Sequence, residues 1–195
     1  LLSYILSSPL SAPSLTDHER KAMALLSLGK NPYENGDHIQ AILSKFDGSQ
    51  FGEENLVNDD IFAIFPLIAS GYGESDAEIT ASISFIVSKQ RENGSWDGSV
   101  DMTSAAIQAL ALTPSLSTSE ALLKARTFLV EAQGIDACFG NSSATSWALQ
   151  AIAALNESPS GWEKSDRTPQ DCLASAQASD GGLDEDLDVN SRIWA

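Results

Sequence analysis

The stretch SKQRENGSW, residues 88–96, decides the fold. It closes one apolar segment, AEITASISFIVSKQ, and leads into a second, DMTSAAIQALAL. Between them stand Gln90, a turn marked by Asn93 and Gly94, and then Trp96. Searching outward, the same arrangement recurs. ISFIVSKQ, ARTFLVEAQ and DCLASAQ end at Gln90, Gln133 and Gln177, spaced 43 and 44 residues apart. Phe46, ending AILSKF, lies 44 residues before Gln90, and LSYILSS near the N-terminus matches ISFIVSK as the remnant of an earlier copy.

A second element follows each of these: DHERKAMALLSLG, NDDIFAIFPLIASG, DMTSAAIQALAL, SATSWALQAIAAL and the terminal NSRIWA. These are apolar with small residues on nearly every face, as Ala105, Ala106, Ala109 and Ala111 illustrate, so they read as helices buried on most sides. The first elements are more amphipathic, with Ile79, Ile83, Ile86 and Val87 on one face. Each copy is therefore an outer helix, a turn and an inner helix. Thr16, Asn58, Asp101, Ser143 and Asn190 are expected to cap the inner helices, because such side chains accept bonds from free helix N–H groups. Gly29 and Gly71 suit helix stops, and Pro66 predicts a kink. The predicted fold is all-α. Small-residue inner helices that approach closely favour a partial α/α ring of hairpins of about 43 residues over an open solenoid. Residues 1–195 are expected to form one such domain, a fragment of a longer chain with flanking domains.

Composition narrows function. Hydrophobic residues make up 43% and charged residues 19%, as in a globular chain. Asp and Glu number 27 against 11 Lys and Arg, a net charge of −16. That argues against phosphate-backbone binding and an anionic membrane surface, and leaves neutral or cationic ligands open. No apolar run approaches the ~18 residues of a membrane span. LLSYILSSPLSAP lacks the basic residues of a signal peptide. Cys138 and Cys172 have no CxxC spacing, and either a disulfide or two free thiols suits them.

The turn Gln90–Gly94–Trp96 resembles the QW motif, Q-x(2–5)-G-x-W, of squalene and hopene cyclases. With its two-helix period, the chain resembles the prenyltransferase/squalene-oxidase repeat superfamily, whose fold is the α/α toroid. Gln133 is followed by Phe139 and Gly140, and Gln177 by Gly181, Gly182 and Leu183, so only the copy at Gln90 is a full match.

That superfamily implies several activities. Prenyltransferase β subunits hold zinc through Asp, Cys and His. Here Asp101 fits, but Thr103 stands where Cys is expected and no His follows His38, so no metal is expected. Class II terpene cyclases carry DxDD at an inner-helix start. Val57-Asn58-Asp59-Asp60 aligns with it, which would make Asp59 the acid and Asp60 its neighbour, with the first Asp replaced. The cavity of such a cyclase is lined with aromatics, whereas aromatics are 7% of this chain. A thioester segment, Cys-Gly-x-Gln, is missing. The remaining relatives are non-catalytic: the cobalamin carriers transcobalamin and intrinsic factor, and bacterial surface proteins, which VDMTSAAIQAL and DVNSRIWA resemble most.

The expectation is thus a non-catalytic, extracellular or cell-surface module that needs no cofactor. It would bind a neutral or cationic small molecule, corrinoid-like if it follows the carriers. The ligand would meet Asn58, Asp59, Asp60, Asp101, Ser143, Asp188 and Asn190 at the inner-helix N-termini. Capping competes with that role at Asp101, and helix-dipole stabilisation competes with it at Asp59 and Asp60. Trp147 and Trp194 share a repeat position that core packing explains, whereas Trp162 in NESPSGWEK would be suggestive if exposed. His18 and His38 read as isolated from each other. Asp184, Glu185, Asp186 and Asp188 read as a solvated acidic turn.

Overall fold

In a computed structural model, the chain is described at residue 10 and over residues 13–34 and 36–183. The expectations placed on LSYILSS, on the acidic run 184–188, and on Asn190 and Trp194 lie outside the described residues. Within them the protein is all-helical. The helices are α1 (Leu15–Ser27), α2 (His38–Leu43), α3 (Val57–Ala69), α4 (Ala77–Ser88), α5 (Val100–Ala111), α6 (Leu116–Ala132), α7 (Ser142–Ala154) and α8 (Pro169–Ala176). A 3-10 turn, Pro159–Trp162, precedes α8. No helix among the described residues is long and apolar enough to cross a membrane.

Two compact units divide the chain, Leu1–Lys89 and Gln90–Ala195. In the first, α1 packs on α2 and α3, and α3 packs on α4. Their core joins Leu15, Ala22, Ile39, Ile42, Phe51, Ala63, Leu67 and Ile79. The amphipathic pattern of α4 is realised: Ile79 and Ile86 are fully buried, each worth ~1.5–3 kcal/mol of transfer free energy. Helix α3 runs on through Pro66, which forgoes one i→i−4 bond but still accepts from Ser70 N at 3.0 Å. Gly29 and Gly71 end α1 and α3 with left-handed φ of 63° and 99°.

In the second unit α5 packs on α6 and α7, and α7 packs on α8. Ala105, Ala106 and Ala109 of α5 and Ala148 and Ala151 of α7 are buried, so small side chains occupy the faces that sequence assigned to close approach. A disulfide joins Cys138, in the turn before α7, to Cys172 in α8, with a Cα–Cα distance of 5.5 Å. Of the two states left open by sequence, the bonded one is present. Closing a loop across this separation of 34 residues stabilises by about 3–4 kcal/mol in the chain-entropy account.

The helix caps correct the sequence in a regular way. Ser14 caps α1 in a capping box with Asp17, Ser99 caps α5 through Met102 N at 3.3 Å, and Asn141 caps α7 through Ala144 N at 2.8 Å. Leu56 holds the cap position of α3 and offers no side-chain bond. In every case the position lies two residues ahead of the expected Thr16, Asn58, Asp101 or Ser143. Those four sit inside the first turn, with their side chains released from capping.

The Gln-marked turns share their local geometry. Gln90 Nε2 donates to Gly94 O at 2.9 Å and to Ala121 O of α6 at 2.8 Å. Gln133 Nε2 donates to Ala137 O at 3.2 Å and to Trp162 O at 2.7 Å. Gln177 Nε2 donates to Gly181 O at 3.0 Å. The residue four after each Gln has left-handed φ: 84° at Gly94, 68° at Ala137 and 89° at Gly181. At Gly94 a Cβ would also collide with the Lys124 carbonyl, so glycine is required twice over. Trp96 and Phe139 are buried six residues after their Gln, and each directs its backbone N–H to a threonine hydroxyl, Thr103 and Thr145, at 3.0 Å.

Candidate functional site

The acids at the start of α3 are committed to backbone. Phe51 N donates to Asp60 Oδ1 at 3.1 Å, and Glu53 N donates to Asp59 Oδ2 at 3.1 Å. Asp60 therefore does for Phe51 what Thr103 does for Trp96 and Thr145 does for Phe139. Gly52 lies so close over Asp59 that a Cβ there would strike its carboxylate. Both acids are buried. Burial pushes Asp60 up to about 7, against the lowering effect of Ser82 and the Phe51 N–H. Burial raises Asp59 as well, opposed by the bond from Glu53 N.

A third acid, which sequence did not single out, belongs with them. Glu19 of α1 is fully buried, and neither carboxyl oxygen has a hydrogen-bond partner. Burial, reinforced by the charges of Asp59 and Asp60, pushes it up to about 9, so it is a neutral acid at pH 7. A proton donor to a substrate needs that state, but it also needs contact, and both Glu19 oxygens are sealed from solvent. An acid midway along an amphipathic helix normally faces water. Only the packing of α3 on α1 reveals otherwise.

Asp101 is different. With Ser99 capping α5, the Asp101 carboxylate is half-buried in the first turn, and its Oδ1 has no partner. Burial raises its pKa above the usual carboxylate range. One turn on, Ser104 is fully buried and its hydroxyl is also unpartnered. Ser143 is half-buried at the same position of α7, which packs on α5. Further along, Gln108 Nε2 donates back to Ser104 O at 3.3 Å, and Gln150 Nε2 does the same to Ser146 O at 3.4 Å. Asn58 is half-buried at the corresponding position of α3, within the other unit.

The structure decides one condition and changes one expectation. Trp162 is buried, not exposed: its Nε1 donates to Glu157 Oε2 at 2.9 Å, and the Arg126 guanidinium lies 5.2 Å from its ring centre. Arg126 also grips Glu157 with two bonds, at 2.6 and 3.1 Å, so this tryptophan is a fastening. His18 and His38 are not isolated from each other, since their Nδ1 atoms lie 3.0 Å apart. Among the described residues, no three His, Cys, Asp or Glu side chains gather into a group that could hold a metal.

Beside the disulfide, a surface cleft of about 280 Å³ is lined by Asp136, Asn141, Ser142 and Arg167, among others. Arg167 is partly engaged there, its Nη2 donating to Asp171 O at 3.1 Å and to Ser175 Oγ at 2.7 Å. Compared with protein-family models, curated proteins and solved structures, the chain matches none of them.

Proposed function

We propose that the chain is a non-catalytic binding module of an extracellular or cell-surface protein, built from hairpins of the α/α-toroid type. The observation that carries this is the contrast among its acids. Asp59 and Asp60 are buried and hold backbone N–H groups, whereas Asp101 caps nothing and stays only half-buried in the first turn of α5, although its Oδ1 is as sealed as the Glu19 oxygens. A half-buried carboxylate without a partner costs stability unless something else engages it. The net charge of −16 favours a neutral or cationic small molecule over nucleic acid. The recurrent Gln turns suit hairpin repeats, and the disulfide suits an oxidising compartment. The resemblance to cobalamin carriers makes a corrinoid the first ligand to try. Its peripheral amides are donors that a carboxylate accepts, and no cofactor is needed.

The competing class is a degenerate class II terpene cyclase with Asp59 as proton donor. The backbone bond at Asp59 and the sealed oxygens of Glu19 weigh against it. Incubating the wild-type chain and Asp59→Asn with squalene separates the two. The binding proposal expects no cyclised product from either, and turnover abolished by Asp59→Asn would overturn it.

A further inference from the structure

His18 projects from α1, and His38 opens α2. Their Nδ1 atoms are 3.0 Å apart and their ring centres 5.3 Å. That centre-to-centre distance is the contact plus the two ring radii, so the nitrogens meet head-on. A metal shared by both rings would instead sit beside the line between them and draw the ring centres closer. The head-on contact has room for one proton, with one Nδ1–H donating to the lone pair of the other.

We infer that this pair is an acid-released latch fastening α2 to α1, closed while at most one ring is charged and open when both are. The first proton taken up is tolerated, because an imidazolium Nδ1–H still donates to a neutral partner. The second, arriving from solvent, sets two N–H groups and two positive charges against each other. His38 adds to the cost: its Nε2 is buried without a partner, so a second N–H there has no acceptor.

The surroundings give the charged pair little relief. Lys45, just past α2, and Lys21 on α1 add positive charge. Asp17 and Asp37 oppose them, but Asp17 is engaged by Ser14 N and Oγ, and Asp37 accepts from Gln40 N. Glu19, next in sequence to His18, is held neutral. From α3, Asp59 and Asp60 are engaged by Glu53 N and Phe51 N. Burial first holds both rings below the ordinary histidine value of 6.5; at His38 the charge of His18 and then Lys21 add to it, and at His18 Lys45 adds a smaller push against the pull of Asp17.

Helix α2 has six residues, too few to persist unaided. It supplies Ile39 and Ile42 to the core, so releasing it uncovers an apolar face. The latch adds stability above pH 6.5 that is lost as the pH falls through the two lowered values.

The chain has only two histidines, so both ring signals can be followed by NMR in the intact chain between pH 7.5 and 4.5. Amide exchange at Ile42 and Leu43 is read alongside, corrected for intrinsic pH dependence. The expected result is that both rings titrate below 6.5 and that α2 exchange quickens at least tenfold as the second proton binds, while α5 stays protected. His18→Gln keeps a bonding partner for His38 but cannot take a charge, so it should remove the acid step. Independent titration of both rings near 6.5, or α2 protection unchanged by acid in the wild-type chain, would overturn the latch.

Discussion

Replacing Glu19 by Gln should change how stability depends on pH. Folding moves this carboxyl from an ordinary value of 4.5 to about 9. Between those values the folded chain keeps a proton that the unfolded chain has released. The stability tied to Glu19 is therefore complete below pH 4.5 and is lost as pH rises toward 9. The slope is about 1.4 kcal/mol per pH unit, so from pH 5.5 to 7.5 the wild type should lose about 2.7 kcal/mol through this one group. Gln fills the same space, has two polar ends and does not titrate. Asp59 and Asp60, also raised, tilt both proteins in the same direction, and the two histidines tilt both the opposite way, so these effects largely cancel in the comparison. Urea unfolding followed by far-UV circular dichroism at both pH values gives the quantity needed. The wild type should lose about 2.7 kcal/mol more than the variant across that interval. Equal losses would mean that Glu19 ionises as an exposed acid does, and the buried acid cluster would be refuted. The absolute stability of the variant is not the readout, because a buried amide has unmet bonds of its own.

Three further outcomes follow from the turns and the disulfide. Gly94→Ala should destabilise by more than ~1–2 kcal/mol in chemical unfolding, because φ is 84° and the new Cβ strikes the Lys124 carbonyl. Thr145→Val should cost about 1–3 kcal/mol, since Phe139 N loses its buried acceptor; a loss below 0.5 kcal/mol would contradict the role assigned to that bond. Reducing the disulfide should lower stability by about 3–4 kcal/mol, visible as a shifted urea midpoint with and without dithiothreitol.

Much of the helical plan is legible in the sequence because burial leaves a period. The spacing of Gln90, Gln133 and Gln177 marks where α4, α6 and α8 end, and the alanine-rich runs mark α5 and α7. Cap residues are not legible to better than two positions. Ser99 and Asp101, or Asn141 and Ser143, are equally good caps by type, and only backbone geometry chooses between them. That choice has consequences, since it leaves Asp101 inside the first turn of α5 and frees it from capping. The acid cluster is half legible: Asp59 and Asp60 stand together in sequence, but Glu19 joins them only because α3 packs on α1. The His18–His38 contact leaves no trace in the sequence, since it links two helices across 20 residues by one pair of atoms.

The binding proposal is tested most directly by titrating hydroxocobalamin into the chain and following the corrin absorbance, with Asp101→Asn alongside. A charge-assisted bond contributes roughly 1.5–3 kcal/mol, or about a tenfold to hundredfold change in Kd. A saturable spectral shift is expected in the wild type and a Kd raised at least about tenfold in Asp101→Asn, with the variant no less stable than the wild type. No saturable shift in the wild type would contradict the corrinoid ligand, and an unchanged Kd in the variant would contradict the part assigned to Asp101.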